Sequence, residues 1–266
     1  MGTHPGEKPW SPSLWKRFAA WRKRGQLLSR PFYRSYHWLN PISIFEVDRR
    51  VFISPSLRVL FNGIGKAGHS SVVANLAKAQ HGEEISISLA KSQGFLRPSA
   101  LSAEQIEALA GYFKFTLVRN PYTRTLSAYL DKVVREKVVP ERLICRYKGH
   151  PPSFLDFCLY LEDGGLNDSV HWGPQTRMLV LPFDQFDHVM KLERFEEDFS
   201  VVLEKLGLSE GFAAARHDRH KTGSDRKRDL YYCDRTRAIV SELFEEDFRL
   251  LGYPTMVEPP VVEPAA

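Results

Sequence analysis

The sequence predicts an α/β fold in which a mostly parallel central sheet is flanked by helices. Strand patterns recur at Arg58–Ile64, Tyr112–Val118 and Phe186–Leu192, with helical patterns between and after them. The first two strands each run into a turn marked by Gly or Pro and then directly into a helix. Alternation of this kind signals parallel strands, whose crossovers need room for a helix.

Taken in order, residues 1–12 are rich in Pro and Gly and are expected to be disordered. Ser13–Leu28 predicts a helix with Leu14, Phe18 and Trp21 on one face and Lys or Arg over much of the rest. A helix over His69–Gln80 follows the first strand. Ser102 and Gln105 form a capping box for a short helix, Ser102–Ala110. Pro121 stands in the first turn of a helix expected to reach Lys137. Helices over Ser153–Glu162, Glu196–Leu206 and Tyr231–Leu251 complete the set, the last stopped by Gly252. The expected organisation is a basic arm with an amphipathic helix over residues 1–45, one domain over 46–253, and a disordered Pro- and Val-rich tail over 254–266.

The chain has 266 residues, 43% of them apolar, enough for a sizeable core. Its net charge of +5 is unevenly placed: residues 1–45 hold eight Lys or Arg against one acid, Glu7, so the arm carries +7 and the rest −2. A near-neutral body argues against a nucleic-acid binder. Cys145, Cys158 and Cys233 are far apart and fit reduced thiols rather than a disulfide framework or zinc site. No apolar run approaches the roughly 20 residues of a membrane span, and no secretory signal follows the basic start. The expectation is a cytoplasmic protein. Residues 13–28 are a candidate for peripheral contact with an anionic membrane, or for a helix whose aromatic face packs on the domain.

The segment Phe61–Val72, FNGIGKAGHSSV, has the order that cradles phosphate. A strand enters, small residues make a turn, and a helix leaves with hydroxyls in its first turn, its N–H groups free to meet an anion. Lys66 adds a full charge, and Ser70 and Ser71 add donors. This is not the nucleotide-kinase loop G-x-x-x-x-G-K-[ST]. Leu60 stands where the first Gly is required, and Ala67 where a hydroxyl must hold Mg²⁺. An ordinary tight turn with a solvated lysine would also fit.

Arg119 leaves the carboxyl end of the next strand, where ligands bind in open α/β sheets, and Ser127 lies two helical turns on. An arginine fork and a hydroxyl suit a terminal phosphate. A local cap by Arg119 and a polar helix face for Ser127 remain the plain alternative.

Together these segments, K-x-x-x-[ST]-[ST] and R-[ND]-P-x-x-R-x-x-S-A-Y-x-x-K, resemble the two donor-binding elements of sulfotransferases. The likeness is strongest to the Golgi carbohydrate sulfotransferases acting on chondroitin and dermatan, and to their bacterial relatives. His171-Trp172-Gly173-Pro174-Gln175 resembles their H-W-x-P-Q segment, Lys191-Leu192-Glu193 their K-L-E strand, and Tyr231 to Tyr253 their closing helix ending D-F-x-x-x-G-Y. The five elements stand in family order over residues 58–253. The resemblance implies a P-loop-like three-layer α/β fold and the donor 3′-phosphoadenosine 5′-phosphosulfate (PAPS). Lys66, Ala67, Gly68, His69, Ser70 and Ser71 would form the 5′-phosphosulfate loop, and Arg119 and Ser127 the 3′-phosphate site. His69 departs from the family, which has a small residue or Cys there. The basic arm also stands in place of the family's membrane anchor and stem, which suits a soluble bacterial enzyme.

The implied reaction is an in-line sulfuryl transfer to a hydroxyl of a carbohydrate or other acceptor, with PAP (the desulfated donor) released. Lys66 would stabilise the leaving group, no metal is expected, and His171 is the first candidate for general base, with a pKa near 6–7. His69 is the rival. His217 and His220 lie in a basic run, 216–228, read as a flexible or simply solvated loop. Glu193 is read as structural, paired with a Lys or Arg, and Lys132 as a contact for an anionic acceptor or a solvated lysine. Trp38, Tyr147 and Trp172 can stack on sugar faces or fill the core. The competing classes are a P-loop nucleotide kinase, which Ala67 opposes, and a non-catalytic nucleotide-binding or membrane-docking module, which an intact Lys66 opposes.

Overall fold

The computed structural model describes residues 14–136, 139–144, 151–208, 212, 214 and 222–256. The expectations for residues 1–13 and 257–266, and for Cys145, Tyr147, His217 and His220, lie outside them. The sheet has four strands, β1 (Val51–Ser54), β2 (Val59–Gly63), β3 (Phe113–Val118) and β4 (His188–Lys191), in that spatial order. β1 pairs antiparallel with β2, whereas β2, β3 and β4 run parallel. The mostly parallel sheet is therefore as expected, with one unforeseen antiparallel edge. β1 is only four residues long and buried throughout, so it shows no alternation by which to be recognised.

The main helices are α1 (Leu14–Leu28), α2 (His69–His81), α3 (Ile87–Gln93), α4 (Ala103–Ala108), α5 (Pro121–Ala128), α6 (Phe154–Glu162), α7 (Phe195–Lys205), α8 (Ser224–Tyr231), α9 (Asp234–Leu243) and α10 (Glu245–Leu250). The Ser102–Gln105 capping box begins α4 as read from the sequence. Three expectations are corrected. The helix from Pro121 widens into a π-helix over Tyr129–Arg135. The closing helix is two, broken at Phe244, where φ −114° and ψ 22° leave helical space. The basic run read as a loop is helical from Ser224, capped by Gly223 at φ 68°.

Both faces of the sheet are covered. Phe52, Phe61, Phe115 and Met190 point one way and pack with α2 residues Val72 and Leu76 and α7 residues Phe195 and Phe199. Val51, Leu60 and Val118 point the other way and meet Phe32, Trp38, Ile42 and Met178. Trp38 is thus a core ring, its indole N–H donating to the Ile42 carbonyl at 3.3 Å. On α1, by contrast, Phe18 and Trp21 are 53% and 69% exposed, so the helix does not use them to pack on the domain. No helix among the described residues is long and apolar enough to cross a membrane.

A fully buried carboxylate, Asp247 on α10, ties the end of the chain to the segment after α6. It accepts from the Gln175 N–H at 2.8 Å, the Thr176 N–H at 2.9 Å and the Thr176 hydroxyl at 2.7 Å. Gln175 in turn clamps the Arg119 backbone, accepting from its N–H at 2.9 Å and donating to its carbonyl at 2.7 Å. Asp247→Ala would strand these donors without water, so it should cost about 3 kcal/mol or more. Urea unfolding measures this, and a loss below about 1 kcal/mol would show that the contacts are dispensable.

Candidate functional site

The site lies at the carboxyl ends of β2 and β3, in a cavity of about 520 Å³. Its floor is the turn from β2 into α2. Gly65 has no room for a side chain, because a Cβ there would stand 2.6 Å from the Val170 carbonyl oxygen. Gly68 has φ +83°, and Lys66 itself adopts φ 66°, a left-handed conformation costly for a side-chain-bearing residue. The turn is thus wedged against the 170–173 segment. Arg124, 1% exposed, fastens it there by donating to the carbonyls of Gly65 (2.9 Å), Gly173 (2.8 Å) and Val170 (3.3 Å).

Lys66 does not reach into solvent. Its ammonium lies 2.8 Å from the Asp131 carboxylate, with both side chains under 10% exposed. Burial lowers the Lys66 pKa, and the pairing with Asp131 opposes that shift. Burial alone would raise the Asp131 pKa, but the hydrogen bond from Lys66 and the charges of Lys66, Lys132 and Arg135 hold it below the usual range. Asp131 sits within the π-helix, a widened turn of the kind common at functional sites. Lys132 is also paired, with Glu136 at 2.7 Å and Asp131 at 3.5 Å, so it is not the solvated lysine of the plain reading.

Arg119 is 7% exposed and fully engaged. Its Nε donates to Thr123 Oγ1 at 3.1 Å, its Nη1 to the Lys66 carbonyl at 3.3 Å, and its Nη2 to Ser224 Oγ at 2.7 Å and Asp225 at 2.8 Å. Ser127 is buried and accepts from the Thr222 hydroxyl at 3.1 Å. Arg119 and Ser127 therefore share one wall with the start of α8, and that wall joins the Lys66 turn in a single cavity.

His171 lines the same cavity. Its ring Nδ1 is buried with no hydrogen-bond partner among the described residues, so it is not the satisfied core histidine of the plain reading. Its pKa is not near-neutral as expected: burial, followed by the charges of Lys132, Arg50, Lys66 and Arg124, pushes it down to about 4. His69 is also held neutral, well below the usual value, by burial and then by Lys91, Arg50 and His171. Trp172 is core, donating to the Gly165 carbonyl at 3.0 Å and meeting Phe157 edge-on. Glu193 lacks the expected Lys or Arg partner among the described residues. It accepts from the Asn120 N–H and the Tyr253 hydroxyl, both at 2.8 Å.

Ser70 and Ser71 open α2 and line the cavity beside Lys66 and Gly68, while Ala67 is fully buried beneath them. Sequence reasoning missed Asp131, Asp225, Thr222, Ser224 and Arg124 as site residues. Asp131 and Arg124 fall inside the Arg119–Lys132 motif, so their positions were available. Asp225 was hidden in a run of basic residues.

The lysine-bearing turn, a buried arginine beyond the next strand and an imidazole with an unpartnered ring nitrogen among the described residues face one cavity. Residues 49–254 match the sulfotransferase family, and the chain belongs to it. Relatives include carbohydrate sulfotransferase 14 of Danio rerio, 26% identical over 81% of this chain and 65% of the relative. Carbohydrate sulfotransferase 12 of Xenopus laevis is 29% identical over 55% of this chain and 41% of the relative. Carbohydrate sulfotransferase 10 of Homo sapiens is 26% identical over 80% and 69%. The chain thus spans less than two thirds of the first two relatives. No solved structure matches it.

The two histidines make stability pH-dependent. Unfolded, each takes up a proton near pH 6.5. Folded, both resist protonation, so the unfolded chain binds more protons as pH falls from about 6.5 toward 4, and stability declines across that window. The slope is at most about 1.4 kcal/mol per pH unit per histidine. Urea midpoints should drop between pH 7 and pH 5, and His171→Gln should flatten the decline. Equal midpoints at both pH values would contradict the burial of these rings in neutral form.

Proposed function

We propose that the protein transfers a sulfuryl group from PAPS to a carbohydrate hydroxyl, on a three-layer P-loop-like fold. The observation that carries the reading is that Lys66 and Arg119, anion-binding groups of the family's two motifs, line one cavity together with the unpartnered His171. In this reading the turn Lys66–Ser71 holds the 5′-phosphosulfate on backbone N–H groups, Lys66 and the serine hydroxyls. Arg119 and Ser127, joined by Thr222 and Ser224, hold the 3′-phosphate. Asp131 and Asp225 occupy the cations until the donor's phosphates replace them.

The acceptor oxygen attacks sulfur in line as the bond from sulfur to the bridging oxygen breaks, and PAP departs with that electron pair. Charge grows on the bridging oxygen, where Lys66 and the turn amides stabilise it. The acceptor proton passes to His171, whose ring is neutral at physiological pH and needs no prior deprotonation. The phosphate leaving group needs no metal, and Ala67 offers none a ligand.

Calorimetry is the first test. The protein should bind PAP far better than 5′-AMP, and Arg119→Ala should lose about 1.5–3 kcal/mol of PAP binding. Equal affinity for PAP and 5′-AMP would sink the donor assignment. Transfer should persist undiminished in EDTA, and collapse with recovery by Mg²⁺ would favour a kinase-like mechanism instead.

His171→Ala should lower kcat by about 10²–10⁴-fold with PAP affinity nearly unchanged. The acid limb of the wild-type rate should lie near pH 4, where the buried ring titrates, and should vanish in the variant. A variant keeping more than about a third of wild-type kcat, with the limb intact, would remove His171 from the reaction.

A further inference from the structure

The cavity's cations among the described residues come with resident carboxylates, with one exception. Lys66 has Asp131, Arg119 has Asp225, Lys132 has Glu136, and Arg50 has Glu46 at 2.7 Å. Lys91, on α3, lines the cavity with no ion-pair partner. Its Nζ donates to Ser70 Oγ at 2.7 Å, in the first turn of α2. This is no freely waving surface lysine. Ala90 beside it is fully buried in the core, and the Lys91 carbonyl accepts from Arg97, whose guanidinium stacks 4.4 Å over the Phe52 ring.

An ammonium in such a place is unfavourable unless an anion joins it. Burial and the nearby charges of Arg50 and Arg97 depress its pKa, and nothing described offsets them. The serine it holds stands in the first turn of α2, just after Lys66 and Gly68, so an anion bound at that turn would lie within reach of Lys91.

We infer that Lys91 is a second cationic ligand of the donor's 5′ anionic group, held at the first turn of α2 by Ser70 and lining the same cavity as Lys66. This rests on the sulfuryl-transfer reading and adds a residue from outside either donor-binding motif. Where Asp131 balances Lys66, Lys91 brings uncompensated charge, the more so as sulfuryl transfer loads charge onto the leaving phosphate.

The test compares two ligands that differ only in the 5′ group: PAP, and adenosine 3′-phosphate, which lacks it. By calorimetry, Lys91→Met should weaken PAP binding by about tenfold or more and leave adenosine 3′-phosphate within about twofold of wild type. Lys91→Arg should restore most of the PAP affinity. Lys91→Gln serves the same purpose should the methionine variant fold poorly, as judged by its melting temperature. Equal losses for the two ligands would mark Lys91 as merely structural. Unchanged PAP and PAPS affinity, with or without a raised acceptor KM, would overturn the inference by itself. Failure of the wild-type protein to bind PAP at all would instead overturn the sulfuryl-transfer reading, and the inference with it.

Discussion

The architecture of the site depends on one buried carboxylate. Asp247 accepts three hydrogen bonds from Gln175 and Thr176, and Gln175 passes the constraint to both backbone groups of Arg119. Those groups are at the end of β3, where the sheet's own hydrogen bonding stops and the chain must turn into α5. A side-chain amide supplies there what a neighbouring strand would supply further back. Glu193 repeats the device from the other side, holding the Asn120 N–H while Tyr253 holds Glu193. Asp247 on α10 thereby positions an arginine more than a hundred residues earlier in the sequence.

This also explains why short segments of little distinctiveness travel together. His171–Gln175, Lys191–Glu193 and Asp247–Tyr253 are parts of one clamp around Arg119, and each supplies a partner that another requires. Arg124 performs the equivalent service for the Lys66 turn, with three carbonyls on a single guanidinium. Rigid support of this sort keeps a strained turn such as that at Lys66 from relaxing.

What could be read from the sequence follows from how local each signal is. β2, β3, the Lys66 turn and the Ser102 cap are written in consecutive residues, and the structure has them within a residue or two. β1 was too short to show a period, and the π-helix follows a stretch whose spacing still looked α-helical. The pairings of Lys66 and Arg119, as distinct from the positions of the residues, were out of reach for a different reason. Asp131 and Asp225 are joined to them across long stretches of chain, and Asp225 sits among basic residues that suggest a solvated loop. The low pKa of His171 likewise comes from desolvation and from four cations on separate elements, none visible in the residues around it.

Asp131 and Asp225 give the site an unusual response to its ionic surroundings. At Lys66 and Arg119 an anion entering this cavity meets cations already paired at 2.8 Å and must exchange one ion pair for another. Dissolved salt screens the outgoing and incoming attractions alike, so ionic strength has far less leverage on affinity here than over an open basic cleft. Small monovalent anions gain nothing by such an exchange. A ligand carrying two well-separated clusters of negative charge would displace both carboxylates at once, an exchange that simple anions cannot make at these two positions.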